Sequence, residues 1–246
     1  MSAYEPTVSL SRHRNAGQDL IKWLAMITMV IDHLRLVWPE MGDLFIVGRL
    51  AFPLFCVAIA ANVARTRPGE LLTATNSRYI ILMIVFAIIS EVPYRYISAS
   101  GLFNVLVTLT FGLLITWGIH HRTWLAGATA ITAGVLAYLL DDTLMYGFYG
   151  VLVPAAVLIA IKRPGILWLL PALLCVLINT RSSIVAKALD LDPPSILALG
   201  AAFAAPLLGL WLLRQSLHFN VQPVRQWGYW FYPAHLVALQ ALRLCL

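Results

Sequence analysis

Charged residues are scarce in this sequence: Asp, Glu, Lys and Arg together make up 11% of its 246 residues, against roughly 25% in an ordinary soluble domain. Water is the wrong solvent for most of such a chain. Cysteine is scarce as well, and Cys56, Cys175 and Cys245 lie singly inside apolar segments, without metal-type spacing, and read as core thiols. No GxSxG, HExxH, CxxC or Walker pattern occurs, which leaves either proton-transfer chemistry on a bound substrate or proton and solute transport as the physical candidates. Internal repeats and inverted symmetry between halves are lacking too, and that disfavours the duplicated design of many secondary transporters.

What is abundant is apolar sequence, with 61% hydrophobic residues and a mean hydropathy of +0.83. A bilayer core takes roughly 20 apolar residues per helix, so a chain of this length holds about nine or ten spans and no folded soluble domain. Apolar runs bounded by Pro, Gly and charge predict helices at about residues 19–38, 44–64, 79–98, 103–119, 123–140, 147–161, 165–179, 195–213 and 227–246. The expected fold class is all-α: a polytopic integral membrane protein with about nine transmembrane helices, made of a polar segment 1–18 and a single helical domain 19–246. The apolar stretch after residue 18 has no small-residue cleavage site and is expected to stay as the first span. The sixth and seventh runs are short and proline-flanked, and are expected to be tilted, broken or re-entrant.

The net charge of +6 and pI near 9.5 come from basic residues scattered singly or in pairs, which mark topology rather than a phosphate-binding patch. The implied partner is the bilayer, not nucleic acid. Nine spans place Arg12, Arg14, Lys22, Arg65, Arg67, Arg78, Arg122, Lys162, Arg163, Arg214 and Arg225 on one side, and Arg35, Arg95, Arg181, Lys187 and Arg243 on the other. The positive-inside rule then makes the N-terminus cytoplasmic and the C-terminus external. The acids lean outward, among them Asp32, Glu91, Asp141 and Asp192. Trp124, Tyr146 and Tyr149 read as interfacial belt aromatics.

A charge at mid-bilayer costs about 2.5–3.5 kcal/mol on insertion scales, so the few present are expected to be paired or functional. In the first span Lys22, Met26, Met29 and His33 share one face, with His33 roughly 16 Å beyond Lys22 by helical rise. Asp32 lies about 100° around the helix and points toward a neighbour. Arg49 enters the second span ahead of the kinking Pro53. Unable to shed its proton, it requires a carboxylate or an anion, with Asp32 and Glu91 available on its side. Glu91 closes the third span, Asn104 and Thr108 stack on one face of the fourth, and the last span carries Tyr232 and His235 around Pro233.

The stretches LIKWLAMITMVIDH (20–33), GRLAFPLF (48–55), TNSRY (75–79), NVLVTL (104–109) and FYPAHL (231–236) form an ordered set over nearly the whole chain, and that set resembles the TraX family of F-pilin N-terminal acetylases. The resemblance implies an enzyme of the bacterial inner membrane that takes acetyl-CoA from the cytosol and acetylates an amine or hydroxyl acceptor at the outer side. That acceptor is a pilin N-terminus or another cell-envelope substrate. Asp32 and His33 match the family's Asp-His pair, Arg49 its Gly-Arg motif and His235 its Tyr-Pro-x-His motif. On this reading His33 is the general base, oriented by Asp32 or by a carboxylate across the bundle, with His235 as a further catalytic residue. Arg49, Glu91, Asn104, Thr108 and Tyr232 meet the substrate, with Asn104, Tyr232 or His235 donating to the oxyanion. Lys22, Arg65, Arg67 and Arg78 hold the nucleotide of acetyl-CoA, and no metal is required. The alternative is a proton-coupled transporter using the same ionisable residues.

Overall fold

The computed structural model describes residues 16–98, 100–217 and 219–245, so most of the segment 1–18, with Arg12 and Arg14, lies outside the described residues. The described residues form eleven α-helices: α1 (Ala16–Leu34), α2 (Phe45–Gly48), α3 (Ala51–Ala64), α4 (Ala74–Ile97), α5 (Val105–His121), α6 (Trp124–Leu139), α7 (Gly147–Lys162), α8 (Leu169–Ile178), α9 (Ile184–Leu189), α10 (Pro193–Leu212) and α11 (Trp227–Cys245). No strand is present among them. Each of the nine expected apolar runs is helical. By length and composition three helical stretches suffice to cross a membrane, Pro39–Ala64, Ala74–Ile97 and Pro193–Leu212, and shorter apolar helices accompany them.

Local chemistry sets the helix starts. Thr73, Thr123 and Asp192 accept from the amides of Asn76, Ala126 and Ser195, closing the first turns of α4, α6 and α10. Proline sets two ends that the apolar pattern misplaces. The first run was expected to stay helical to residue 38, but α1 stops at Leu34. Pro39 opens a 3-10 segment and holds Trp38 extended at φ −118° and ψ 91°, as the residue before a proline must be. The second run is split, because Pro53 has no N–H to offer the carbonyl of Arg49. Arg49 and Leu50 instead close short turns onto Ile46 and Val47 at 3.2 and 3.1 Å. Arg49 therefore stands in the break between α2 and α3.

The core lies around α3 and α7, whose inner faces bury Phe52, Leu54, Val57, Val151, Val153 and Val157. On the outside, α4 exposes Ile81, Ile84, Ile88 and Val92, and α6 exposes Ile131, Val135, Leu136 and Leu139. The residues α6 buries are alanines, Ala126, Ala133 and Ala137, a small-residue face of the kind that packs helices in lipid. Apolar surface this continuous is solvated by hydrocarbon, not water. Cys56 and Cys175 are buried as expected, whereas Cys245 is exposed at the end of α11. Tyr146 is not a belt residue: it stacks on Phe52 with ring centroids 3.9 Å apart. Trp124 and Tyr149 are exposed.

Contacts between loops gather into two sets. Asp19 takes the Val224 amide, His120 meets the Thr66 carbonyl, and Arg214 covers Trp168. In the other set Asp141 pairs with Arg181 and takes the Phe148 amide, and Phe103 bonds Thr143.

At Gly48 the backbone of α2 presses on the Asp32 carboxyl, and an added Cβ would overlap it. Gly48→Ala is expected to cost about 1–3 kcal/mol through overpacking. Gly42→Ala, where nothing lies within 4 Å of the added carbon, is expected to stay within about 0.5 kcal/mol. Thermal unfolding of the two variants in detergent checks the difference.

Candidate active site

The site begins as a register between α1 and α11. Near the start of α1, Asp19 accepts from the Val224 amide at 3.2 Å and Lys22 donates to the Val224 carbonyl at 3.2 Å. Trp23 donates to the Gln222 carbonyl at 3.0 Å and packs on Trp227. These contacts align the two helices in the same direction. Eleven residues separate 22 from 33 within α1, and eleven separate 224, just ahead of α11, from 235 within it; His33 lies level with His235. Their rings are nearly parallel, 4° apart, and His33 Nδ1 lies 2.9 Å from His235 Nε2.

The proton positions follow from the next bond. His235 Nδ1 is 3.0 Å from the Phe231 carbonyl oxygen, which can only accept, so that nitrogen carries the hydrogen. In the neutral ring Nε2 then holds a lone pair, and His33 Nδ1–H donates to it. That leaves the lone pair on His33 Nε2 without a partner among the described residues. His235 thus sets the His33 tautomer, in the place where the sequence points to a carboxylate.

Two cavities flank this part of α1 and α11. A polar one of about 250 Å³ is lined by Asp32, His33, Arg35, Arg49, Tyr94, Tyr146 and Leu236, among others. An apolar one of about 140 Å³ is lined by Met26, Met29, Tyr79, Tyr229, Phe231 and Tyr232, with Lys22 and Arg225 at its edge. They share no lining residue. On α1, Met29 faces the apolar cavity and His33, a turn on, faces the polar one; on α11, Tyr232 and Leu236 divide the same way. The apolar cavity continues through Lys22, Tyr79, Val224, Arg225 and Tyr229 into an open basic depression of about 710 Å³ that adds Arg78.

The expected site residues separate into two groups. Asp32, His33 and Arg49 line the polar cavity, with His235 bonded to His33 behind it, Tyr232 lines the apolar cavity, and Lys22 and Arg78 line the basic depression. Asp32 does not orient His33: it pairs with Arg35 at 2.9 Å. Glu91 pairs with Arg95 at 2.6 Å and accepts from both the amide and the side chain of Asn104 at 3.1 and 2.7 Å. Asn104 donates its second amide hydrogen to the Ala87 carbonyl at 2.8 Å and caps α5 by accepting from Leu106. With both hydrogens committed, it has none for an oxyanion. Thr108 is fully buried against α7 beside Gly150 and lines neither cavity. Arg65 faces a separate groove with Gln18 and Arg214, and Arg67 is exposed, 3.7 Å from Glu70. Among the described residues no group of three or more His, Cys, Asp or Glu is placed to hold a metal ion.

Arg225 and Tyr229 are the residues sequence reasoning missed. The available signal was spacing: Arg225 precedes His235 by ten residues, close to the eleven between Lys22 and His33.

A family model described as TraX protein matches residues 17–243. Similar curated proteins include an uncharacterised protein of Rickettsia prowazekii (strain Madrid E), 29% identical over 104 residues, which are 42% of this chain and 38% of that protein. Another is Protein TraX of Escherichia coli, 39% identical over 49 residues, 20% of each chain. The aligned stretches thus span less than two-fifths of either relative. No solved structure matches.

Asn104 ties the end of α4 to the start of α5 without facing a cavity. Asn104→Ala removes a cap and the side-chain bonds to Glu91 and the Ala87 carbonyl, and is expected to lower stability by about 1–3 kcal/mol. The check is thermal unfolding in detergent, with Thr108→Val, which removes a hydroxyl that has no partner among the described residues, as the mild comparison.

Proposed function

This chain belongs to the TraX family, and from that premise we propose that it is a membrane-embedded acetyltransferase, moving an acetyl group from acetyl-CoA on the cytosolic side to an amine or hydroxyl acceptor on the far side of the bacterial inner membrane. The family is linked to F-pilin acetylation, so the acceptor is a pilin N-terminus or another envelope component. The observation that carries the reading is the His33–His235 bond, which lies at the polar cavity one helical turn beyond the residues, Met29 and Tyr232, that line the apolar approach.

On this reading the chain spans the membrane about nine times, with the N-terminus and the basic depression cytoplasmic by the positive-inside rule. Lys22, Arg78 and Arg225 face the phosphates of the coenzyme, and the apolar cavity between Tyr79, Tyr229 and Met29 takes its thin pantetheine arm. The acceptor occupies the polar cavity. His33 Nε2 removes the proton of its amine or hydroxyl, while the bond to His235 spreads the resulting positive charge over two rings. The new C–N or C–O bond forms as the C–S bond breaks, and the proton passes from His33 to the departing thiolate. Tyr232, whose hydroxyl takes a bond from the Val105 amide, keeps its own hydrogen for the acetyl oxygen.

Purified protein in nanodiscs is expected to release free thiol from acetyl-CoA. His33→Ala should lower the rate by about 10²–10⁴-fold, with His235→Leu also reduced because the His33 tautomer is no longer imposed. Arg225→Glu and Arg78→Glu should raise the KM for acetyl-CoA by about tenfold or more, and Arg67→Glu far less. Unaltered turnover in His33→Ala would remove the proposal, and solute flux in proteoliposomes without acetyl-CoA would replace it with proton-coupled transport.

A further inference from the structure

The polar cavity carries an unbalanced charge. Its charged lining residues are Asp32, Arg35 and Arg49, and Asp32 is taken by Arg35 at 2.9 Å. Although Gly48, next to Arg49 in sequence, presses on the Asp32 carboxyl, no ion pair reaches the Arg49 guanidinium among the described residues. Glu91, the other acid expected to serve it, is held by Arg95 and Asn104. The Arg49 Nε is buried without a hydrogen-bond partner, and the guanidinium carbon lies 5.7 Å from the centroid of the Phe45 ring. One negative and two positive charges leave the cavity at +1.

An arginine keeps its proton in any protein environment, and Arg49, half-buried at the cavity with its Nε sealed from solvent, presents a fork that an anionic group satisfies best. The compensating charge therefore arrives with the occupant. We infer that the acceptor carries an anionic group: its nucleophilic amine or hydroxyl lies in the same small headgroup as a carboxylate or phosphate, which Arg49 clamps while His33 takes the proton. This deepens the acetyl-transfer reading and rests on it. A cavity of about 250 Å³ is smaller than the 300–1,000 Å³ typical of drug-sized ligands, so charge and nucleophile belong to one compact group. The guanidinium fork fits carboxylate and phosphate alike. A free metabolite and a lipid headgroup both present that chemistry.

The test uses the full chain in nanodiscs with acetyl-CoA, and mass spectrometry of the acetylated products. The soluble probes are β-alanine and O-phosphoethanolamine, each against 3-aminopropanol. Nanodiscs of phosphatidylethanolamine and of phosphatidylcholine separate a headgroup source from a soluble one. Both acid-bearing amines are expected to react at least about tenfold faster than 3-aminopropanol, with the ratio falling toward one in Arg49→Gln and partly kept in Arg49→Lys. Acetylated phosphatidylethanolamine would assign the headgroup as the source, and acetylation of the soluble probes alone would assign a free one. A wild-type ratio near one overturns the inference while leaving acetyl transfer intact. So does an Arg49→Gln variant that slows all acceptors equally, which would place the guanidinium on the acetyl oxygen. If no acetyl-CoA is consumed at all, the transferase reading fails on its own. Thermal stabilisation of wild type by β-alanine but not by 3-aminopropanol, lost in Arg49→Gln, then still decides the charge of the occupant, and equal stabilisation by both overturns it.

Discussion

A histidine can act as a base only through a nitrogen that carries no hydrogen, and which nitrogen that is depends on what the other one meets. In this protein the answer is set by a chain of two bonds, from His33 to His235 and from His235 to the Phe231 carbonyl. The carbonyl can only accept, so the direction of both bonds is determined from one end. The chain in turn exists only because α1 and α11 run side by side in register, an alignment held by Asp19, Lys22 and Trp23 at their starts. Slide one helix by a residue and the rings part by about 1.5 Å along the axis and 100° around it.

The same alignment organises the space around the pair. Met29 and Tyr232 face one way, and His33 and Leu236, a turn further along, face the other. A division of this kind suits a reaction whose two substrates come from opposite sides of a bilayer and whose thioester must be kept from water. The prolines contribute where the helices must stop or break. Pro39 ends the first run early, and Pro53 opens the turn in which Arg49 stands. Without those interruptions Arg49 would lie inside a regular helix and its backbone would be fully paired.

Much of this was legible in the sequence. The nine apolar runs all became helix, because an apolar stretch of that length has few alternatives in lipid to satisfying its backbone internally. Asp32, His33, Arg49 and His235 stood out because ionisable residues in apolar sequence are costly. Their partners were harder to read. Asp32 and Glu91 were matched to distant groups, while Arg35 at i+3 and Arg95 at i+4 were the neighbours that took them. Local pairs on one helix are already close before the tertiary fold forms, so they win over partners that depend on packing. Asn104 was expected at a substrate, and its hydrogens were instead needed by Glu91 and the end of α4.

The sequence by itself determined what has to be buried: helices long enough and apolar enough for a bilayer, with a short set of polar residues whose cost demanded a reason. Hydropathy and residue chemistry are local properties, and a linear reading captures them. Only the tertiary structure decided which polar groups meet. The rotation of each helix about its axis, the register of α1 against α11 and the early ends at the prolines gave His33 a histidine for a partner, left Arg49 without a carboxylate, and made Arg225 a neighbour of Lys22. Those outcomes turn on a few ångströms of sliding and a fraction of a helical turn, and the apolar pattern of a helix buried on most sides scarcely distinguishes one rotation from the next.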